Sequence, residues 1–282
     1  MTVPGLIGSS GGPAWTGGAV TGHAYCVLAP NPGPMTLDGT NTWVVSVPGD
    51  ASVVVDPGPD DPGHLHVVLG RALSAGAPVR EVLLTHGHLD HSEGARAFAE
   101  LAGGSSGSVP VRALDPAFRL GDEGLADGDA VAVGDLELRV VGTPGHTADS
   151  LSFLLSEPDG EGLLTGDTVL GRGTTVVAHP DGRLGPYLDS LRRLRDLAEH
   201  VGGARVLPGH GPVLDDAYTA VVAYLSHREA RLDQVRAALA AGDRTPIDVV
   251  RRVYADVDPV LWPAAELSVR AQLEYLHLSS PD

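Results

Sequence analysis

Short apolar runs, each closed by glycine, proline or a polar pair, succeed one another along the first two-thirds of the chain. "TWVVSV" (42–47), "SVVVD" (52–56) and "EVLLT" (81–85) are rich in Val and Leu, which predicts strands buried on at least one face. "AVAVGDLELRVVGTPG" (130–145) predicts a hairpin turning at Gly134-Asp135. "LSFLL" (151–155), "GLLTGD" (162–167) and "ARVLPGHG" (204–211) add further strands. Helices are expected between them at about 61–75, 92–102 and 186–200. Beyond residue 213 the period lengthens. Tyr218, Val221, Leu225, Leu232, Val235 and Leu239 fall at helical spacing, and Gly242 follows as a stop. Two or three more short helices are expected from Thr245 to Leu278. The pattern divides the chain into a flexible lead-in (1–22), a mixed α/β core (23–213) and a helical C-terminal extension (214–282).

Composition refines this picture. Hydrophobic residues are 43% of the 282, enough for a sizeable core, but aromatics are only 4%, so that core must be built of Val, Leu and Ala. The formal charge is −17, and all 19 basic residues are arginine. A net anion does not draw in nucleic acid or anionic lipid at long range. The single cysteine, Cys26, excludes a disulfide within the chain and a cysteine zinc site. With no basic n-region or apolar h-region at the start, it predicts a cytoplasmic protein. No stretch approaches the roughly 18 apolar residues of a membrane helix, so no membrane partner is expected.

The chemistry gathers in "LLTHGHLDHSEG" (83–94), which holds His86, His88, Asp90 and His91. The apolar run before them is a strand, so they stand in the loop at its end, where a rigid scaffold supports reactive groups. Alternate residues of an extended segment point the same way, so His86 and His88 can reach one point. Asp90 and His91 lie past the bend and can reach a neighbouring one. Imidazoles and carboxylates are zinc ligands at about 2.0–2.2 Å. Three further donors repeat the arrangement: His146 in "TPGHT", Asp167 in "TGDT" and His210 in "PGHG", each after an apolar run and a turn residue.

The series "THGHLDH", "TPGHT", "TGD" and "PGHG" resembles the metallo-β-lactamase superfamily. "VVVDPG" (53–58) is similar to its first motif, in which Asp56 would support the metal ligands from behind. "NPGPMTLDGTNTWVV" (31–45), "GRGTTVV" (171–177) and "YLSHRE" (224–229) resemble the β-lactamase-like protein 2 group. The resemblance implies an α/β fold: a four-layer αβ/βα sandwich with metals at one edge and a helical, winged-helix-like C-terminal extension. It implies two metals per chain. One would take His86, His88 and His146, the other Asp90, His91 and His210, with Asp167 and a hydroxide bridging them. Zinc is expected, and iron or manganese suits the same donors.

A dizinc site generates a nucleophile at neutral pH and polarises a substrate oxygen. The expected function is therefore a metal-dependent hydrolase using the bridging hydroxide on an ester, thioester or phosphodiester. Asp90 would orient or deprotonate that hydroxide, or serve as a ligand alone. Asp167 argues against β-lactam hydrolysis, because the true lactamases of the superfamily generally lack it. The 43 residues from Asp167 to His210 are too few for the large insertion of the RNA-processing branch. The β-lactamase-like protein 2 group is associated with single-stranded RNA cleavage, and related enzymes hydrolyse acyl-carrier thioesters. Expected partners are thus a small acyl substrate or single-stranded RNA, and acidity without lysine favours the former. A mononuclear iron oxygenase or a non-hydrolytic member of the fold is the remaining alternative; the complete set of seven donors counts against a degenerate binding module, and one iron per chain in place of two zincs would mark the oxygenase. Asn41, Thr42 and His179 are candidates for contact with substrate or support of the metals. His227 reads as a tie between the C-terminal helix and the core, and His64 and His66 as structural.

Overall fold

Alternation of side chains along the strands sorts the apolar residues onto opposite faces of two sheets. The structure is a computed structural model describing residues 14–158 and 160–279. Its first sheet has six strands, in the order β1 (Gly18–Ala19), β2 (Ala24–Leu28), β3 (Asn41–Val47), β4 (Ala51–Val55), β5 (Val79–Leu83) and β6 (Val111–Arg112). Strands β1 to β4 pair antiparallel, while β5 and β6 continue parallel to β4. The second sheet has five strands: β7 (Ala130–Val133), β8 (Leu136–Gly142), β9 (Leu151–Glu157) and β10 (Gly160–Gly166) pair antiparallel in sequence order, and β11 (Arg205–Pro208) joins β10 in parallel.

The inner faces meet in a core that includes Trp43, Val45, Val53 and Val55 from one sheet and Leu138, Val140, Phe153 and Leu155 from the other. The intervening residues face outward. Val44, Val54 and Val82 pack under α1 (Pro62–Leu73) and α3 (Ala95–Gly103), with the short α2 (Leu89–Ser92) leading into α3. Val141, Leu154, Leu163 and Val206 pack under α4 (Leu184–Val201) and α5 (Ala217–Ala240). The result is the expected αβ/βα sandwich. The helices α6 (Pro246–Val253) and α7 (Trp262–Ser279) close the C-terminal side against α4 and α5. Val, Leu and Ala make up most of the buried apolar residues, as the composition requires, while Trp43, Tyr187, Tyr224, Phe98 and Phe153 are the largest of them.

Several expectations change in detail. Strands β1, β2 and β6 are additional. Two of them are two residues long, and "AYCVL" carries no clear alternation for a pattern to reveal. The first thirteen residues of the lead-in lie outside the described residues, and Gly18–Ala19 further on pair with β2. Helix α7, at 18 residues, is longer than the short helices expected there. Tyr218 points outward on α5; Ala217, Ala220, Val221 and Tyr224 form the buried face of its first two turns. Among the described residues, no helix is long and apolar enough to cross a membrane.

Candidate metal centre

Five strands running the same way deliver the polar residues to one edge of the sandwich. Asp56 follows β4, His86 follows β5, His146 follows β8, Asp167 follows β10 and His210 follows β11. Backbone hydrogen bonds tie these strand ends together across the two sheets: Leu151 N donates to Thr85 O at 2.7 Å and Asn41 N to Gly209 O at 2.8 Å. Gly209 permits the approach of the His210 loop. A Cβ there would lie 2.5 Å from Asp167 Oδ1 and 2.8 Å from His91 Cε1. Gly166, at φ +48°, turns the chain before Asp167 with no Cβ to strike Thr85.

Two groups of donors converge at this edge: His86, His88, His146 and Asp167, and beside them Asp90, His91 and His210. In the first, His86 Nε2 and His146 Nε2 each lie 3.1 Å from His88 Nδ1. In the second, His91 Nε2 is 3.3 Å from His210 Nε2, and Asp90 Oδ2 is 3.2 Å from His210 Nε2 and 3.4 Å from His91 Nε2. Asp167 stands between the groups. Its Oδ2 is 3.6 Å from His146 Nε2, while its Oδ1 is 3.4 Å from both His91 Nε2 and His210 Nε2.

The opposite edge is held in four of the five rings. His91 Nδ1 meets Asp56 Oδ2 at 2.9 Å, His146 Nδ1 meets Val176 O at 2.8 Å, His210 Nδ1 meets Gly39 O at 3.2 Å and His86 Nδ1 meets Thr85 Oγ1 at 3.0 Å. A carbonyl or carboxylate at Nδ1 fixes the proton there and leaves Nε2 free to ligate. Asp56 also accepts from Thr85 N at 2.7 Å and Thr85 Oγ1 at 2.6 Å, so one carboxylate aligns the β5 loop and His91 together.

The charges are arranged to hold a cation. Burial, reinforced by His91, keeps the His86 pKa well below its ordinary value, and burial likewise lowers His146 against the pull of Asp167. Both are thus neutral, as ligands must be. Burial opposes charge on His91 and His210 as well, but Asp167, with Asp56 at His91, overcomes it and raises both, His210 to about 9, so each holds a proton that a bound metal ion would displace. Burial also opposes charge on Asp90, yet the hydrogen bond from His210 and the attraction of His91 pull its pKa down to about 2. Asp167 Oδ1 is buried and accepts no hydrogen bond. A buried carboxylate oxygen without a donor, facing imidazole nitrogens that crowd one another, fits a site for metal ions.

The other predicted residues separate. Asn41 is fully buried and clamps the turn that carries His210, donating from Nδ2 to Pro208 O at 2.9 Å and Gly211 O at 2.8 Å. Thr42 is also fully buried, and its hydroxyl meets His64 Nε2 at 3.0 Å, a position without access to substrate. His66 is turned to solvent on the same helix. His179 lies 3.8 Å from Glu274 on α7. Sequence reasoning missed Thr40, whose Oγ1 donates to Asp90 Oδ2 at 3.3 Å, and Thr175, whose Oγ1 donates to Asp167 O at 2.6 Å.

A cleft of about 340 Å³ opens beside the donors. His146 and Asp167 line it, and it extends between the 170–176 loop and the C-terminal helices to Val257, Leu261 and Ala264. His227, read from sequence as a tie to the core, is on its wall together with Arg228 and Arg231. The cue was present as "HREAR" (227–231), which places His227 and Arg231 four residues apart on one helix face.

Residues 35–210 match the family model described as Metallo-beta-lactamase superfamily. The chain belongs to that superfamily. Residues 245–277 match the Beta-lactamase associated winged helix domain, although no strand follows β11 among the described residues. Within the superfamily, the chain is 33% identical over 258 residues to Beta-lactamase-like protein 2 homolog of Caenorhabditis elegans, covering 89% of this chain and 82% of that one. It is 35% identical over 217 residues to Atrochrysone carboxyl ACP thioesterase of Aspergillus fumigatus, covering 76% of this chain and 64% of that protein's length. A beta-lactamase domain protein from Burkholderia ambifaria has the same fold, with a TM-score of 0.77 at 26% identity, covering 93% of this chain and 88% of that one.

Proposed function

We propose that this chain is a metal-dependent hydrolase of an ester or thioester, acting at a binuclear and preferably zinc centre in the cytoplasm. One observation carries the binuclear reading: the two oxygens of Asp167 face different donor groups, Oδ2 toward His146 and Oδ1 toward His91 and His210. His86, His88 and His146 would hold one ion, Asp90, His91 and His210 the other, and Asp167 both. When bound, such ions supply Lewis acidity and a water acidic enough to attack near neutral pH.

The chain's own residues do the rest. His88 is exposed and Asp90 half-buried, so they form the side open to incoming substrate and water. The Asp90 carboxylate, steadied by Thr40, is placed to orient the attacking water by accepting its hydrogen bond. Asp56 keeps His91 aligned. The cleft offers an apolar bed for an acyl chain beside His146 and Asp167, where exclusion of water strengthens each polar contact. We assign the chemistry to residues 23–213 and the outer wall of the cleft to residues 214–282.

A thioester accords with the name of the Aspergillus fumigatus relative and with the net charge of −17, which repels a polyanion. Single-stranded RNA is the second reading, because Arg228 and Arg231 line the cleft without a carboxylate partner and could meet phosphates. Both are tested by offering the metal-loaded protein an acyl-N-acetylcysteamine thioester and a labelled single-stranded RNA beside Asp167→Ala. Thioester hydrolysis that disappears in the variant is expected. RNA cutting without thioester hydrolysis would transfer the protein to the nucleases. Neither reaction, with two metals bound, would overturn the hydrolase reading.

A further inference from the structure

Two arginines on the cleft wall, Arg228 buried and Arg231 half-buried, lack a carboxylate partner. Arg228 is only 4% exposed, its Nε has no hydrogen-bond partner, and its guanidinium rests on Thr175 O and 5.0 Å from the centre of the Tyr187 ring. Arg231, one turn along α5, donates at 2.8 Å to Gln234 Oε1 and at 2.8 Å to Val253 O, and lies 4.5 Å from the centre of the Tyr254 ring. Among the described residues neither has a carboxylate within 4.0 Å. Arg172, on the same cleft, is neutralised by Asp38 at 2.9 Å. Taking a guanidinium out of water is costly unless an anion compensates it. In a chain of net charge −17, two uncompensated arginines on one wall are not explained by a shortage of carboxylates. Their field is felt by His227, whose pKa is lowered to about 4 by burial and then by Arg228 and Arg231.

We propose that Arg228 and Arg231 form an anion-recognising subsite that binds a carboxylate or phosphate carried by the substrate away from its scissile bond. Leu170, Val257, Leu261 and Ala265 line the same cleft, so the body of the ligand is apolar and its charge is confined to one end. Arginine suits this task because its planar fork pairs with either anion through two hydrogen bonds. Two sources of the anion are chemically possible: a free carboxylate at the far end of the acyl chain, or a phosphate on the leaving arm. The subsite rests on the hydrolase reading for its place in a reaction, but its ligand can be tested without turnover.

Three inert amides serve as probes: glutaric acid mono-N-propylamide, N-(2-phosphonooxyethyl)pentanamide and the neutral N-propylpentanamide. Calorimetry with the metal-loaded protein is expected to show at least about tenfold tighter binding of one anionic amide than of the neutral one, the scale of a lost charge-assisted pair. Arg231→Gln should close that gap and Arg231→Lys should keep part of it, with circular dichroism and metal content unchanged. Which anionic amide responds identifies the source. Ala264→Glu, which brings a carboxylate into the same cleft, should also close the gap and serves if Arg231→Gln does not fold. Equal binding of all three amides, no binding of any, or a preference that survives Arg231→Gln would overturn the proposal. Tight anionic binding without hydrolysis of any ester would leave the subsite standing and sink the hydrolase reading instead.

Discussion

Asp56 shows how much one side chain organises here. It sits at φ 52°, in the left-handed region that Asp tolerates better than most residues, and receives Thr85 N, Thr85 Oγ1 and His91 Nδ1 on one carboxylate. Asp56→Asn preserves shape and backbone but weakens the hold on His91. Metal affinity, measured by competition with a chromophoric chelator, should fall about 10–100-fold with the fold retained; an unchanged affinity would contradict the role. His227 makes a different prediction. Its folded pKa is about 4 against an ordinary 6.5, so between those values the unfolded chain binds a proton that the folded chain refuses. Stability from this group is full above about pH 6.5, declines as pH falls to about 4 and is level below. His227→Gln should flatten the pH dependence of denaturant unfolding in that window; an identical slope would show that His227 is not held neutral. At this scale the histidines and aspartates that gather at the sheet edge were legible, because such residues after turn residues have few structural reasons to recur. Thr40 and Thr175 were not, because their partners are distant in sequence. Asn41 and Thr42 stood in a suggestive motif, and only the packing shows that one clamps a turn and the other meets His64.

Elements explain why those residues meet. Parallel strands β4 and β5, and co-directional β8, β10 and β11, place their C-terminal ends together, so each connecting loop contributes one or more donors. Sequence patterning found β4 and β10 because they end in runs buried on both faces, and β8 because Leu136, Leu138 and Val140 alternate with exposed Glu137 and Arg139. It could not find β1 or β6, each too short to carry a period. The loops themselves depend on close approach. Gly209→Ala sets a methyl group against Asp167 Oδ1 and His91 Cε1. Overpacking of this kind costs about 1–3 kcal/mol, and here the strain falls on two donors, so metal content should drop by about one ion per chain with only a modest change in unfolding midpoint. Full metal occupancy in Gly209→Ala would show that the His210 loop has more freedom than the structure gives it.

For the molecule as a whole, the sandwich supplies a rigid edge and the C-terminal helices supply the other side of the cleft. Neither alone completes the site: His146 and Asp167 come from loops of the second sheet, whereas Arg231 and Tyr254 come from the C-terminal helices. The layered fold was legible in the alternation of apolar runs and the ligand motifs together. The cleft was not, since it exists only where α5 and α7 pack beside the 170–176 loop. The central claim is that two metal ions held at this edge make the chain a hydrolase. It is tested most directly by stripping the protein with a chelator and titrating zinc back while following hydrolysis of an acyl-N-acetylcysteamine thioester. Activity should vanish on chelation and return to a plateau at about two ions per chain, and Asp167→Ala should not recover. Hydrolysis that survives chelation, or a plateau at one ion, would contradict the account.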